Sequence, residues 1–144
     1  MNILLKLVFL VYVFQASAKP LTPEESQAMF VDILTNCKAA EGASEDDALG
    51  IITHSVPKTK TESCLHACVM EKTGVVANGK FSMEGALQLA GMSGDPQKPK
   101  NVAVIGADCV SLDVVDRCEL GQKIMACLHK GAATIGIYPA TDMM

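Results

Sequence analysis

Cys64-Leu65-His66-Ala67-Cys68 is the stretch on which the fold reading turns. Cysteines four apart lie on one face of a helix. From that face they reach out to two other segments rather than to each other, which makes their helix a central spar. The remaining cysteines are Cys37, Cys109, Cys118 and Cys127, so the intervening gaps are 26, 3, 40, 8 and 8 residues. Six cysteines allow about fifteen pairings, and spacing alone does not choose among them.

The start of the chain sets the redox setting. Residues 3–14 read ILLKLVFLVYVF, followed by Gln15-Ala16-Ser17-Ala18. That apolar run has the length of a signal-peptide core and falls short of the ~20 residues that cross a bilayer. Ala16-x-Ala18 supplies small side chains for cleavage after Ala18. The competing readings are an uncleaved anchor and a buried helix. The expectation is a signal peptide over 1–18 and one secreted domain over 19–144, with no membrane insertion once the leader is gone. Disulfides are then the default state of the cysteines.

Helices can be read outward from the spar. It is expected to start at Thr61 and to stop at Gly74. Thr22-Pro23-Glu24-Glu25 opens a first helix, with a capping Thr, Pro at the first position and Glu25 reaching back. Phe30, Ile33, Leu34 and Cys37 recur on it at i, i+3, i+4 and i+7. Ser44-Glu45-Asp46-Asp47 opens a second, which ends before Pro57; its acids suit a helix N-terminus. Asn78-Gly79 reads as a turn, and the apolar runs beside it are too short to decide for a hairpin. Ser82 opens a fourth helix carrying Met83, Ala86, Leu87 and Ala90. A fifth is expected over Lys100–Leu112 and a sixth over Val115–Gly131, followed by an apolar tail. The class is all-α, about six short helices.

Composition narrows the function. The chain has 144 residues, 49% hydrophobic and 19% charged, with a net charge of −4. Without a basic excess or a basic cluster, nothing would release phosphate counterions, which excludes nucleic acid as an expected partner. Six paired cysteines leave no thiolate nucleophile. Cys64, His66 and Cys68 with Cys118, Cys127 and His129 have metal-ligand chemistry, but disulfides are favoured in an oxidising compartment, so no metal is expected. No hydrolase or phosphate-binding motif is present. Asp46, Asp47, Asp113 and Asp116 read as helix-start charges. The expectation is a non-enzyme without cofactor. His54, His66 and His129 read as solvated surface residues.

The cysteine ladder resembles that of insect odorant-binding proteins, the pheromone-binding and general odorant-binding group. All five gaps fit, and the resemblance covers the mature chain. It implies the pairing Cys37–Cys68, Cys64–Cys118 and Cys109–Cys127, three interlocked disulfides stapling the helices around an apolar cavity. It also implies a carrier for small hydrophobic ligands, odorants or pheromones, delivered through aqueous lymph to a chemosensory receptor, with release on acidification. The absence of Trp departs from many such proteins. An empty cavity of ~300 Å³ would cost roughly 7 kcal/mol, and crosslinks of ~3–4 kcal/mol each could offset it.

If the fold is hollow, the inward stripes supply its wall. The expected lining is Phe30, Ile33 and Leu34, then Ile51, then Val69 and Met70. Phe81, Met83 and Leu87 follow, then Val102 and Ile105, then Met125 and Leu128. Ile135, Ile137 and Tyr138 come from the tail, with Tyr138 offering a hydroxyl. Each position equally suits an ordinary packed core. Two rival readings remain: a non-sensory lipid or hormone carrier, and a secreted factor that uses the scaffold to bind a macromolecule. A homodimer is left open.

Overall fold

A computed structural model describes residues 20–137. The expected signal peptide and Tyr138 lie outside the described residues. Among the described residues six α-helices dominate: α1 Pro23–Glu41, α2 Glu45–Ile52, α3 Lys60–Thr73, α4 Met83–Gly91, α5 Gln97–Ile105 and α6 Arg117–Thr134. A short 3₁₀ turn, Ala107–Ser111, joins α5 to α6. Two-residue strands, β1 Val76–Ala77 and β2 Lys80–Phe81, pair antiparallel between α3 and α4.

Local chemistry explains where the helices start. The Glu25 amide donates to the Thr22 hydroxyl, and the Thr22 amide donates back to the Glu25 carboxylate. Ser44 and Asp47 make the same reciprocal pair at α2. For α3 the cap is Thr59, not the expected Thr61, because Glu62 stands three residues beyond Thr59 and closes the pair. Each pair satisfies amides that the first helical turn leaves without partners.

One open point is decided, and two other helix boundaries differ from expectation. The turn at Asn78-Gly79 does form a hairpin, since both residues take positive φ, 52° and 72°, which suits the twist of a two-residue loop. The expected fifth helix, Lys100–Leu112, is two pieces: α5 starts earlier at Gln97 and the chain tightens into the 3₁₀ turn after Gly106. Pro99 falls in the first turn of α5, where a missing N–H does no harm. α6 starts at Arg117, capped by the Asp116 carboxylate, and continues past Gly131 to Thr134. Its end is sealed at Gly136, where the Ile137 amide donates to the Ala132 carbonyl at 3.0 Å. That bond and the packing of Ile137 on Ala132 form a Schellman-type close.

α3 is the spar. Cys37–Cys68 fastens it to α1, and Cys64–Cys118 fastens it to α6. Cys109–Cys127 ties the 3₁₀ turn to α6. These are the pairs that the resemblance implies, and no described cysteine is free. Arg117 adds a surface tie, donating to Glu71 at 2.9 Å and to Glu41 at 2.8 Å, at the ends of α3 and α1. Among the described residues no helix is long and apolar enough to cross a membrane.

Candidate functional site

Half of the residues of α3 are buried, and its inward face does not meet a fully filled core. Val69, Met70 and Thr73 face a cavity of about 100 Å³. Phe30 of α1 and Ile51 of α2 bound it, with Val75 from the link before β1 and Ala86 and Leu89 from α4. Val102 and Ile105 of α5 and Met125 and Leu128 of α6 complete the apolar wall. At ~24 cal/mol per Å³, a void of this size costs roughly 2.4 kcal/mol if empty. A ligand that filled it would recover that contact energy.

Eight of the sequence-expected lining residues meet here: Phe30, Ile51, Val69, Met70, Val102, Ile105, Met125 and Leu128. Others are placed elsewhere. Ile33 and Leu34 pack into the seam of Cys37, Leu65 and Cys68 between α1 and α3. Phe81 is buried in the main core and Met83 packs against it, their side chains ending beside Gly106. Leu87 also packs on that core, because α4 presents Ala86 and Leu89 to the cavity instead. Ile135 is 40% exposed, and Ile137 covers Ile105 and Ala132 from outside.

Six lining residues escaped the apolar-stripe reading: His54, His66, Thr73, Val75, Ala86 and Leu89. A signal existed for two of them. His66 and Thr73 stand at i and i+7 of the face that carries Val69 and Met70, so the helical period alone places them there.

The histidines are the main correction. None of the three is exposed. His66 is only 3% exposed, and its Nδ1 lies 2.9 Å from the Glu62 carbonyl. Burial holds its pKa below the ordinary imidazole value, opposed by the Glu62 and Ser55 backbone. His54, half-buried at positive φ of 53°, is likewise held low, first by burial and then by His129, His66 and Lys98. The His129 ring donates from Nε2 to the His54 carbonyl. Thr73 spends its hydroxyl proton on the Val69 carbonyl at 2.8 Å.

The arrangement can bury a small apolar molecule. Among the described residues no cluster of His, Cys, Asp or Glu could hold a metal. Asp47 is spent on the start of α2 and Asp116 on the start of α6.

The PBP/GOBP family pattern matches residues 20–131. General odorant-binding protein 19d of Drosophila melanogaster is 28% identical over 118 residues, 79% of this chain and 78% of that protein. General odorant-binding protein 28a of the same fly is 28% identical over 135 residues, 91% and 94% of the two chains. Among solved structures, the odorant-binding protein dmelOBP28a superposes with a TM-score of 0.67 at 28% identity, covering 79% of this chain and 98% of that one. A fatty acid binding protein, OBP56a from the oral disk of the blowfly Phormia regina, gives 0.61 at 25% identity, covering 79% and 96%.

Proposed function

The chain belongs to the PBP/GOBP family, and on that footing we propose that it is a secreted carrier of small hydrophobic molecules, odorants or pheromones, to chemosensory receptors. The observation that carries the reading is the cavity walled by α1 to α6, with only His54, His66 and Thr73 breaking its apolar lining. Affinity would come from burial: covering ~300 Å² of ligand apolar surface yields about 7.5 kcal/mol gross. That gross figure corresponds to a micromolar Kd before association and ordering losses are deducted.

The test is saturable binding of a fluorescent apolar probe to the oxidised domain, with displacement by a panel of volatiles. Absence of binding by folded, lipid-free protein at neutral pH would sink the carrier and favour the macromolecule-binding alternative. A second reading, carriage of a non-odorant lipid, is favoured by the likeness to the blowfly fatty acid binding protein. Displacement by fatty acids and not by volatiles would select it.

A further inference from the structure

His66 is the one described residue of the cavity wall that carries a buried side-chain atom without a hydrogen-bond partner: its Nε2 has none. The other ring nitrogen fixes what Nε2 can do. A carbonyl only accepts, so the 2.9 Å contact with the Glu62 carbonyl requires Nδ1 to carry the hydrogen. Burial keeps the ring neutral, so Nε2 is left with a lone pair and no proton. The Ser55 backbone lies near the ring, but its carbonyl could not satisfy that lone pair either. The need is for a donor.

No donor of the cavity wall reaches Nε2. Thr73 has already given its hydroxyl proton to the Val69 carbonyl. His54, half-buried, can meet water from its exposed side. A buried acceptor without a partner carries a desolvation penalty that a ligand proton would remove. The acceptor is also held still. His66 lies between Cys64 and Cys68, which are bonded to α6 and α1. Little ordering is left to pay on binding.

Resting on the carrier reading, we propose that this cavity selects ligands bearing a hydroxyl, aliphatic or terpenoid alcohols, and that the hydroxyl donates to Nε2 of His66. Ethers, esters and aldehydes of the same shape have only acceptors to offer and leave Nε2 unpaired. The tautomer cannot turn to greet them without setting the Nδ1 lone pair against the Glu62 carbonyl.

The experiment compares 1-nonanol with 1-methoxyoctane, a near-isosteric ether, by displacement of an apolar fluorescent probe from the oxidised protein. The wild type should favour the alcohol, and the alcohol-to-ether affinity ratio should fall about tenfold in His66→Phe, each affinity being read against that variant's own probe affinity. His66→Gln, which restores an acceptor, should recover part of the ratio. In the wild type, the Nε2 nitrogen resonance of His66 should shift with nonanol and stay put with the ether. Equal binding of alcohol and ether, or a ratio unchanged in His66→Phe, would overturn the proposal while leaving the carrier intact. Tighter, His66-dependent binding of nonanoic acid would replace the alcohol by a carboxylic acid and overturn it as well. Failure of the folded wild type to bind the probe at all would remove both readings together.

Discussion

Gly121 of α6 lies against the backbone of Ala67 in α3: a Cβ at position 121 would stand 2.9 Å from the Ala67 amide nitrogen and 2.9 Å from the Ser63 carbonyl. One turn before it, Cys118 is bonded to Cys64, with the two Cα atoms 4.2 Å apart. The missing side chain and the crosslink therefore hold the same crossing. α6 can come close enough to α3 to offer Met125 and Leu128 to the cavity only because nothing projects from residue 121.

Gly121→Ala should lower stability by about 1–3 kcal/mol, the usual penalty of overpacking against backbone that cannot give. Gly91→Ala, at the end of α4 with open space around it, should be neutral or stabilising by up to ~1 kcal/mol. Urea denaturation of the two variants checks the contrast. Equal effects would mean that the crossing relaxes easily.

Wall and core substitutions should separate. Ala86→Leu puts new methyl groups into the cavity and should cut probe affinity about tenfold or more, with the melting temperature unchanged or raised. Ile124 is fully buried beside the cavity without lining it. Ile124→Ala should cost about 2–5 kcal/mol and leave probe affinity nearly intact in protein that remains folded. Calorimetry and probe titration on one preparation of each variant decide it.

The crosslinks should differ in weight. Cys64–Cys118 closes 54 residues and Cys109–Cys127 closes 18. In the loop-entropy account their removal costs about 4 and about 3 kcal/mol. Paired Cys→Ser variants, compared by denaturant midpoint, should therefore differ by about 1 kcal/mol. A larger loss from the shorter loop would show that the 3₁₀ turn stores more than entropy.

Acid should loosen the fold. His66 and His54 have folded-state pKa values below the ordinary imidazole value. The unfolded chain then binds protons more readily as pH falls through about 6.5 and below. The stability these rings contribute is complete above that pH and is lost as pH falls toward and through their folded-state pKa values. Proton uptake at His66 also converts the lone pair of Nε2 into an N–H. Melting temperature and ligand affinity should both drop between pH 7 and 5, and His66→Phe should flatten part of the drop. A profile identical in wild type and variant would place the titration elsewhere.

The helix starts were legible because capping is local chemistry: Thr22 with Glu25 and Ser44 with Asp47 announce themselves within four residues. Thr59 with Glu62 carries the same sign, two residues before the expected start at Thr61. The break of α5 at Gly106 was not legible, because Phe81 and Met83 reach that point from a distant part of the chain. The cavity was legible only in part. An inward stripe looks the same whether it meets packed side chains or empty space, so Ile33 and Val69 read alike and are placed differently. His66 was hidden by its type, since a histidine beside two cysteines suggests metal chemistry or surface before it suggests a wall.

The three disulfides overlap along the chain: 37 to 68, 64 to 118, 109 to 127. Every peptide bond between Cys37 and Cys127 is therefore spanned by at least one of them. A protease that nicks the loop at Ser93–Asp95 severs the backbone yet releases no fragment, since Cys64–Cys118 still joins the two halves. Damage of that kind adds the mass of one water and shows as two bands only after reduction. In a protease-rich fluid the molecule can be cut once anywhere in this span and still travel as one particle.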